Sequence, residues 1–152
     1  MEKKKRSHVC LYGVLLLVLS LCTVNMAAQE IRYVLTKTID MNGVENNNPN
    51  VVGYGKVIKL RFSGQRIIHE IPGISFPVVI QYQYHHSDGG NSVYYQVAKD
   101  VMTGREVINA NGVVVVSPDR RLVNELNYFQ GQRQMTKVYK RDDGDRYDTM
   151  SQ

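Results

Sequence analysis

Tryptophan is absent from this sequence of 152 residues, and cysteine is almost absent. Both cysteines, Cys10 and Cys22, precede residue 29, so residues 29–152 contain no disulfide, no thiolate metal ligand and no cysteine nucleophile. These 124 residues are one domain by length. A chain of this size buries about two-thirds of its unfolded surface without help from a disulfide or a metal.

Surplus charge is also missing from residues 29–152. The first 28 residues hold four of the 19 Lys and Arg and one of the 14 Asp and Glu, which leaves 15 basic and 13 acidic groups in the rest of the chain. Nucleic acid is bound by clustered surplus positive charge on a folded domain. A net charge of +2 therefore predicts that nucleic acid is not a partner.

The first 28 residues have the three-part layout of a secretory signal peptide. A basic segment, Lys3–Arg6, precedes an apolar segment, Leu11–Leu21, and small residues follow at Ala27 and Ala28. We predict cleavage after Ala28 and export of the protein to the periplasm, the cell surface or the extracellular space. The sequence leaves open on which side of the outer membrane the protein lies.

Two other fates of this leader are weighed against cleavage. The longest apolar stretch, Val9–Val24, has 16 residues and is shorter than the roughly 20 that span a bilayer, which disfavours a permanent anchor. Lipidation at Cys22 is the second alternative, but Leu21 occupies a position where a lipoprotein signal normally has Gly, Ala or Ser. Contact with a membrane is therefore expected only through the leader or through a lipid on Cys22.

Helical periodicity is missing from residue 30 onward. No stretch keeps apolar residues at i, i+3, i+4 and i+7 for three turns, whereas alternation with a period of two recurs between clusters of Gly, Pro, Asn and Asp. This pattern predicts an all-β antiparallel meander that closes into a small, lipocalin-like barrel or a sandwich, with residues 29–141 as a single β-domain and residues 142–152 as a flexible tail. The predicted strands lie near residues 31–40, 51–62, 66–71, 77–86, 92–99, 105–109, 112–117, 121–129 and 133–141.

One predicted hairpin carries a candidate ligand face. A four-residue loop, Ser87–Gly90, is expected to place Tyr84 opposite Val93. It also places Tyr82 opposite Tyr95, so that the apolar faces of the two strands coincide. The reverse face then becomes a flat ladder of polar and aromatic groups, which suits an envelope glycan or a partner protein. Its members are Gln81, Gln83, His85, Tyr94 and Gln96.

Two further hairpins are predicted from their turn residues. The first has a two-residue loop at Ser63-Gly64, and the second has a loop over residues 129–132. In both, the predicted register places apolar residues of the paired strands on one face. The resulting pairs are Leu60 with Ile67, Ile58 with His69, Leu126 with Met135 and Leu122 with Tyr139.

Histidines are the other candidates for chemistry. His85, His86 and Asp88 form the only close group of metal-ligand side chains in the sequence. Because neighbouring residues of a strand point to opposite faces, we expect these residues to flank a loop rather than to bind a metal. His69 falls on the apolar face, where we expect a hydrogen-bonded histidine at the margin of the core. No cofactor is predicted.

Catalytic motifs are missing as well. Gly-x-Ser-x-Gly does not occur, and Gly53-x-Gly55 leads into a strand rather than into the helix that a dinucleotide site needs. We therefore expect no enzymatic activity. A basic group on the last hairpin lies beside acidic residues, which indicates local charge balance; its members are Arg120, Arg121, Arg133, Lys137, Lys140 and Arg141.

Two stretches of the chain carry recognisable patterns. The first reads Tyr33-x-x-x-Lys37-Thr-Ile-Asp40-x-Asn-Gly43-Val44, followed by Gly53-x-Gly55-x-x-Ile58-x-Leu-x-Phe62. The second reads Ser117-Pro-Asp119-x-x-Leu122 and ends in Val138-Tyr-Lys-Arg141. These patterns resemble the first and last strands of small exported proteins of Bacteroides-type bacteria. The resemblance implies an exported β-domain and assigns no active site.

Two hypotheses follow for the function. The favoured one is an exported, non-catalytic β-domain of a bacterial envelope that acts as a binding or structural module. The alternative is a lipocalin-like carrier of a small apolar ligand, which would need a closed apolar cavity of roughly a few hundred Å³. A binding module would instead have a filled interior. The sequence specifies neither the ligand, the partners nor the oligomeric state.

Overall fold

The computed structural model describes residues 28–48, 56–72 and 76–144. Strands account for most of these residues, and no helix occurs among them. The strands are β1 (Gln29–Asp40), β2 (Glu45–Asn46), β3 (Val57–Ser63), β4 (Arg66–Ile71), β5 (Val78–Asp88), β6 (Asn91–Lys99), β7 (Glu106–Val116), β8 (Leu122–Phe129) and β9 (Gln132–Arg141). The all-β antiparallel meander predicted from the sequence is confirmed.

The first strand closes the sheet into a barrel. Each strand from β3 to β9 pairs with its neighbour in the chain, and β1 pairs with both β3 and β9. The result is an eight-stranded antiparallel barrel, which resolves the choice between barrel and sandwich. The short β2 is added to the end of β1, where Thr38 pairs with Asn46 and Ile39 with Glu45.

The barrel interior is filled by aromatic and branched side chains. Alternation is regular in β3, where every second residue is buried. The large side chains with almost no exposure are Tyr33, Leu60, Ile67 and Val123. Burial of such a side chain contributes about 1.5–3 kcal/mol, so these inward positions supply much of the stability of a fold that has no tryptophan. One cluster joins these four to Ile31, Leu35, Ile58, Phe62, Tyr82, Tyr94, Val114, Val116 and Tyr139.

Strand β7 is continuous where two strands were predicted. Its pairing with β6 jumps from Tyr95–Val113 to Gln96–Asn109, so the intervening residues of β7 bulge away from β6. Asn109 supports the bulge by accepting a hydrogen bond from the backbone of Asn111. Gly112 leaves room there for the side chain of Gln96, which would have to shift if a Cβ atom were present at position 112. The predicted strand at 51–62 is shorter in the structure, since β3 begins at Val57 and residues 51–55 lie outside the described residues.

The predicted register between β5 and β6 is wrong. The turn has two residues, Gly89 and Gly90, both with positive φ, as a tight primed hairpin turn requires. A β-bulge between Tyr84 and His86 then shifts the pairing by one residue. Consequently Tyr82 lies opposite Gln96 and not opposite Tyr95. Tyr82 and Tyr95 are therefore on opposite faces of the sheet.

The register of β3 with β4 differs from the prediction without changing the faces. The turn is formed by residues 64–65, so Leu60 pairs with His69 and Phe62 pairs with Ile67. Each observed partner lies two residues from the predicted one, which is a whole period of the pleat, so the same side chains face inward. For that reason the prediction that His69 lies on the apolar face is confirmed, although its partner is Leu60 rather than Ile58.

The register of β8 with β9 is correct only near the turn. Tyr128 pairs with Arg133 in the predicted register, although Phe129 and Gln132, which were expected in the loop, also pair, and a bulge after Asn127 shifts the remainder by one residue. Val123 rather than Leu122 therefore faces Tyr139. Their exposures differ accordingly, 1% for Val123 and 42% for Leu122.

Candidate functional site

One end of the barrel is closed by the β7–β8 connection. The hydroxyl of Tyr33 donates a hydrogen bond to the backbone carbonyl of Arg120 at 3.0 Å. The guanidinium of Arg120 lies 4.7 Å from the centre of the Phe62 ring and also donates to Gln29 at 2.9 Å. Burial raises the pKa of Tyr33 to about 12, so its hydroxyl remains a donor at neutral pH. We call this the capped end.

The other end of the barrel contains a pocket of about 290 Å³, whose wall combines charged side chains with the apolar residues Val57, Ile58, Ile71 and Pro72. Four inward-facing side chains define this mouth pocket: His69 of β4, Glu125 of β8, and Lys137 and Tyr139 of β9. Lys137 and Tyr139 are two residues apart and so share a face, and Glu125 is the direct partner of Lys137 across the ladder. The bulge in β8 is what aims Glu125 inward.

Glu125 organises the pocket. The Tyr139 hydroxyl donates a hydrogen bond to Glu125 Oε2 at 3.1 Å, and Lys137 Nζ lies 3.7 Å from the same oxygen. Burial raises the pKa of the Tyr139 hydroxyl above its ordinary value, and the charge of Glu125 raises it further. The phenol therefore stays protonated beside the carboxylate.

His69 is almost buried, with 8% of its surface exposed, between Leu60 of β3 and Ile80 of β5. Among the described residues its ring has no hydrogen-bond partner, although it lines the pocket, so the predicted hydrogen bond is not found there. Burial lowers the pKa of His69, and Glu125 partly opposes this shift. The lowered pKa favours the neutral imidazole at neutral pH, which has one donor and one acceptor nitrogen.

The rest of the pocket wall consists of charged and apolar side chains, and most of the charged ones are basic. Lys56 lowers the pKa of His69 further, as does Lys137. Two other basic residues have ion-pair partners: Lys59 lies 3.3 Å from Glu30 and Arg32 lies 3.4 Å from Asp142. Counting all charged lining residues, the basic ones outnumber the acidic ones. They are Arg32, Lys56, Lys59 and Lys137 against Glu70 and Glu125.

The structure divides the ligand face predicted on β5 and β6. Tyr94 is buried in the core, and Gln96 shares the inward face with Tyr82. Gln81 and Gln83 lie on the outer face instead. The prediction that these residues form one face with His85 is therefore wrong, because it depended on the register that the bulge changes.

The outer part of that face is occupied by Arg66. Its guanidinium donates to Gln83 at 3.0 Å and to Gln81 at 3.1 Å. It also pairs with Glu106 at 2.7 Å. These exposed contacts tie β4, β5 and β7 together on the outside of the barrel and engage the amide oxygens of both glutamines.

The prediction that His85 and His86 point to opposite faces is also wrong. Their Nδ1 atoms lie 2.9 Å apart, and the His85 ring packs against Tyr95 with ring centres 4.5 Å apart. Asp88 pairs with Asn91 at the hairpin turn. Among the described residues, no group of three or more His, Cys, Asp or Glu side chains is arranged to hold a metal ion.

Sequence reasoning missed Glu125, Lys137 and Tyr139 as a site. Lys137 was assigned to a balanced basic group, and Glu125 was placed outward by the register of Leu122 with Tyr139. A signal was present in two alternating patterns, Val123-x-Glu125 in β8 and Lys137-x-Tyr139 in β9. With the β8 bulge taken into account, these patterns place the Glu125 carboxylate opposite the Lys137 amine on the inward face.

Comparison of the chain with models of protein families, with curated proteins and with solved structures finds no match. Within the part of the chain that the structure describes, there is no helix with the length and apolarity to cross a membrane. The mouth pocket and its charges are therefore the basis on which a function can be inferred.

Proposed function

We propose that this protein is an exported, non-catalytic binding module of a bacterial envelope that holds a small anionic ligand in its mouth pocket. The observation that carries the proposal is the group of polar side chains, His69, Glu125, Lys137 and Tyr139, that lines this pocket above a filled interior. An acidic sugar of an envelope glycan is the ligand class that combines this size and charge.

The size of the pocket favours a small ligand. Pockets for drug-sized molecules span about 300–1,000 Å³, and the mouth pocket of about 290 Å³ lies at the lower limit of this range. Tyr82 and Tyr139 fill the barrel next to the pocket, so a ligand gains no deeper apolar chamber. A single sugar unit or a small organic acid meets these limits.

The chemistry of the pocket favours an anion. Lys137 Nζ is 3.7 Å from Glu125, which is longer than a hydrogen bond, so the ammonium group retains donors for a ligand. The neutral His69 ring adds a donor at little electrostatic cost. A ligand carboxylate would accept charge-assisted hydrogen bonds from Lys137, and these are about twice as strong as neutral ones.

The envelope location is supported by the layout of the first 28 residues and by the strand that follows them. Strand β1 begins at Gln29, the residue after the proposed cleavage site. Mass spectrometry of the protein from fractionated cells of the native host tests this point. We expect an envelope or extracellular fraction and an N-terminus at Gln29. A cytoplasmic protein with an intact leader would contradict the proposal, and a lipid-modified Cys22 would replace cleavage after Ala28.

Calorimetric titration with glucuronate and with glucose tests the ligand class. We expect glucuronate to bind and glucose to bind at least tenfold more weakly. Lys137→Gln should weaken glucuronate binding at least tenfold, since one charge-assisted bond contributes about 1.5–3 kcal/mol. Lys140→Gln is the matched control, because Lys140 is on the same strand and faces outward beside Val138.

Two results of this titration would overturn the proposal. One is equal loss of affinity in Lys137→Gln and Lys140→Gln, and the other is equal binding of glucuronate and glucose. NMR spectra of the ligand after prolonged incubation test the non-catalytic part. We expect the ligand to be recovered unchanged.

A lipocalin-like carrier of a small apolar ligand is the second candidate, favoured by the closed eight-stranded meander. Such a carrier needs interior space, which Tyr33, Tyr82 and Tyr94 occupy in this barrel. Titration with an apolar fluorescent probe separates the two candidates. Saturable uptake of the probe at one site would favour the carrier, whereas no uptake is expected for the anion-binding module.

A further inference from the structure

A β-bulge in β5 brings two consecutive histidines together on the barrel surface. The register with β6 shifts between Tyr84 and His86, and the residue inside the shift is His85. In a regular strand the two rings would point to opposite faces, but here His85 Nδ1 and His86 Nδ1 are 2.9 Å apart. Bulges commonly redirect a side chain in this manner next to a binding site. We propose that His85 and His86 together chelate a divalent copper ion.

The distance between the two nitrogens matches the geometry of a tetragonal metal ion. With metal–nitrogen bonds of about 2.0–2.1 Å, nitrogens 2.9 Å apart subtend an angle of about 90° at the metal. Adjacent corners of a square plane have this angle, and Cu²⁺ prefers that arrangement. A tetrahedral Zn²⁺ site would require the nitrogens to be about 3.4 Å apart. The pair therefore favours copper over zinc by geometry as well as by intrinsic affinity.

The protonation of the pair is compatible with metal binding. At 2.9 Å one Nδ1 donates a hydrogen bond to the other, so the accepting ring has its lone pair directed at its neighbour. For a metal ion to bind both Nδ1 atoms, the donating ring moves its proton from Nδ1 to Nε2 through solvent, which frees the second Nδ1 lone pair. Both rings then bind as neutral imidazoles with no net release of a proton, and water completes the coordination.

The surroundings of the pair hold one ring in place and leave the other side open. The His85 ring packs on Tyr95 at 4.5 Å, and the rings of His85 and His86 are nearly perpendicular at 83°. Both histidines are exposed, so an ion can approach from solvent. This preorganisation lowers the cost of ordering the two side chains on binding.

The copper site is separate from the mouth pocket. His85 and His86 are on the outside of β5 near the β5–β6 turn, and neither lines the mouth pocket, which lies around the end of β4. The inference therefore goes beyond the proposed function and stands or fails independently of it.

Titration of the full chain with Cu²⁺, followed by calorimetry and electron paramagnetic resonance, tests the inference. The background should carry Cys10→Ser and Cys22→Ser without a histidine tag, because thiolates and tags bind copper themselves. We expect one tightly bound Cu²⁺ per chain with two coordinated imidazole nitrogens. His85→Ala and His86→Ala should each lower the affinity at least tenfold, and His8→Ala should leave it unchanged.

Other divalent ions sharpen the test. Ni²⁺ and Zn²⁺ should bind more weakly than Cu²⁺, with Zn²⁺ the weaker of the two. Both histidines are exposed, so the urea midpoint of the two variants should equal that of the background, which separates lost binding from lost folding. Unchanged copper affinity in His85→Ala and His86→Ala, or a spectrum with a single nitrogen ligand, would overturn the inference.

Discussion

The two ends of the barrel are built from the same strands but from different inward-facing residues. Toward the capped end β4 presents Ile67 and β8 presents Val123. Two residues further toward the mouth, the same strands present His69 and Glu125, which line the mouth pocket with Lys137 and Tyr139 of β9. A change from apolar to polar inward-facing residues, together with the β8 bulge that turns Glu125 inward, therefore distinguishes the mouth from the packed end.

This difference separates stability from binding. At the capped end, apolar burial, a cation–π contact and a hydrogen bond from Tyr33 all close the barrel. At the mouth, a carboxylate, an amine and an imidazole occupy positions where apolar residues would pack better. We infer that the mouth pocket is retained at a cost in stability, as binding sites commonly are.

The largest expected effect is at the capped end. Phe62→Ala removes a buried ring that also supports Arg120, and it should lower the free energy of unfolding by about 3–5 kcal/mol. Urea unfolding followed by circular dichroism measures this change. Phe129→Ala is the control, since Phe129 is 63% exposed and its loss should change stability by less than about 0.5 kcal/mol. Similar losses in both variants would refute the packed cap.

Substitution of Arg120 should lower the free energy of unfolding by a smaller amount, and that amount should depend on the replacing residue. Arg120 has φ of 54°, a left-handed conformation that favours glycine. Arg120→Ala loses the contact with Phe62 and keeps the strain, and we expect a cost of about 1–2 kcal/mol. Arg120→Gly loses the same contact but relieves the strain, so it should be about 1 kcal/mol more stable than Arg120→Ala. Equal stabilities of the two variants would argue against a strained cap.

At the mouth pocket we expect a substitution to raise the free energy of unfolding rather than to lower it. His69→Leu replaces a nearly buried imidazole, which has no hydrogen-bond partner among the described residues, with an apolar side chain. It should raise the free energy of unfolding by about 1 kcal/mol while weakening anion binding. Thermal unfolding and calorimetric titration of the same preparation measure both quantities. A destabilised variant with unchanged binding would contradict the contrast between the two ends.

A pH dependence follows from the same histidine. Burial lowers the pKa of His69 below its ordinary 6.5 in the folded protein, so the unfolded chain takes up the proton first as the pH falls. This contribution to stability is present above about pH 6.5 and is lost as the pH falls through the folded pKa. In the variant His69→Leu, this loss of stability at low pH should be absent. Unfolding free energies measured at intervals between pH 7.5 and the acid limit of folding provide the comparison, and identical curves would refute the assignment.

Local alternation predicted the fold but not the register. The strands β4, β5, β6, β8 and β9 were placed within about two residues because polar turns and a period of two bound them clearly. Bulges cannot be inferred from alternation, because one extra residue reverses the faces beyond it without changing the apparent pattern. The bulge after Tyr84 misplaced Tyr94 and Tyr95, and the bulge after Asn127 misplaced Glu125.

The candidate site was hidden for the same reason. His69 was placed on the correct face because the β3–β4 register was wrong by a whole pleat period and so preserved the faces. Glu125 comes from a hairpin whose bulge reverses its face, so its convergence with Lys137 and His69 depends on that bulge and on closure of the barrel. Closure is a non-local property that no single strand encodes.

The central claim is that one end of this barrel binds a small anion and the other end does not. Titration of the isotope-labelled protein with glucuronate, followed by NMR, tests it most directly. The account predicts shifts concentrated on His69, Glu125 and Lys137, with the signals of Arg120 and Gln29 unmoved. Shifts centred on Arg120, or spread through the interior tyrosines, would contradict it.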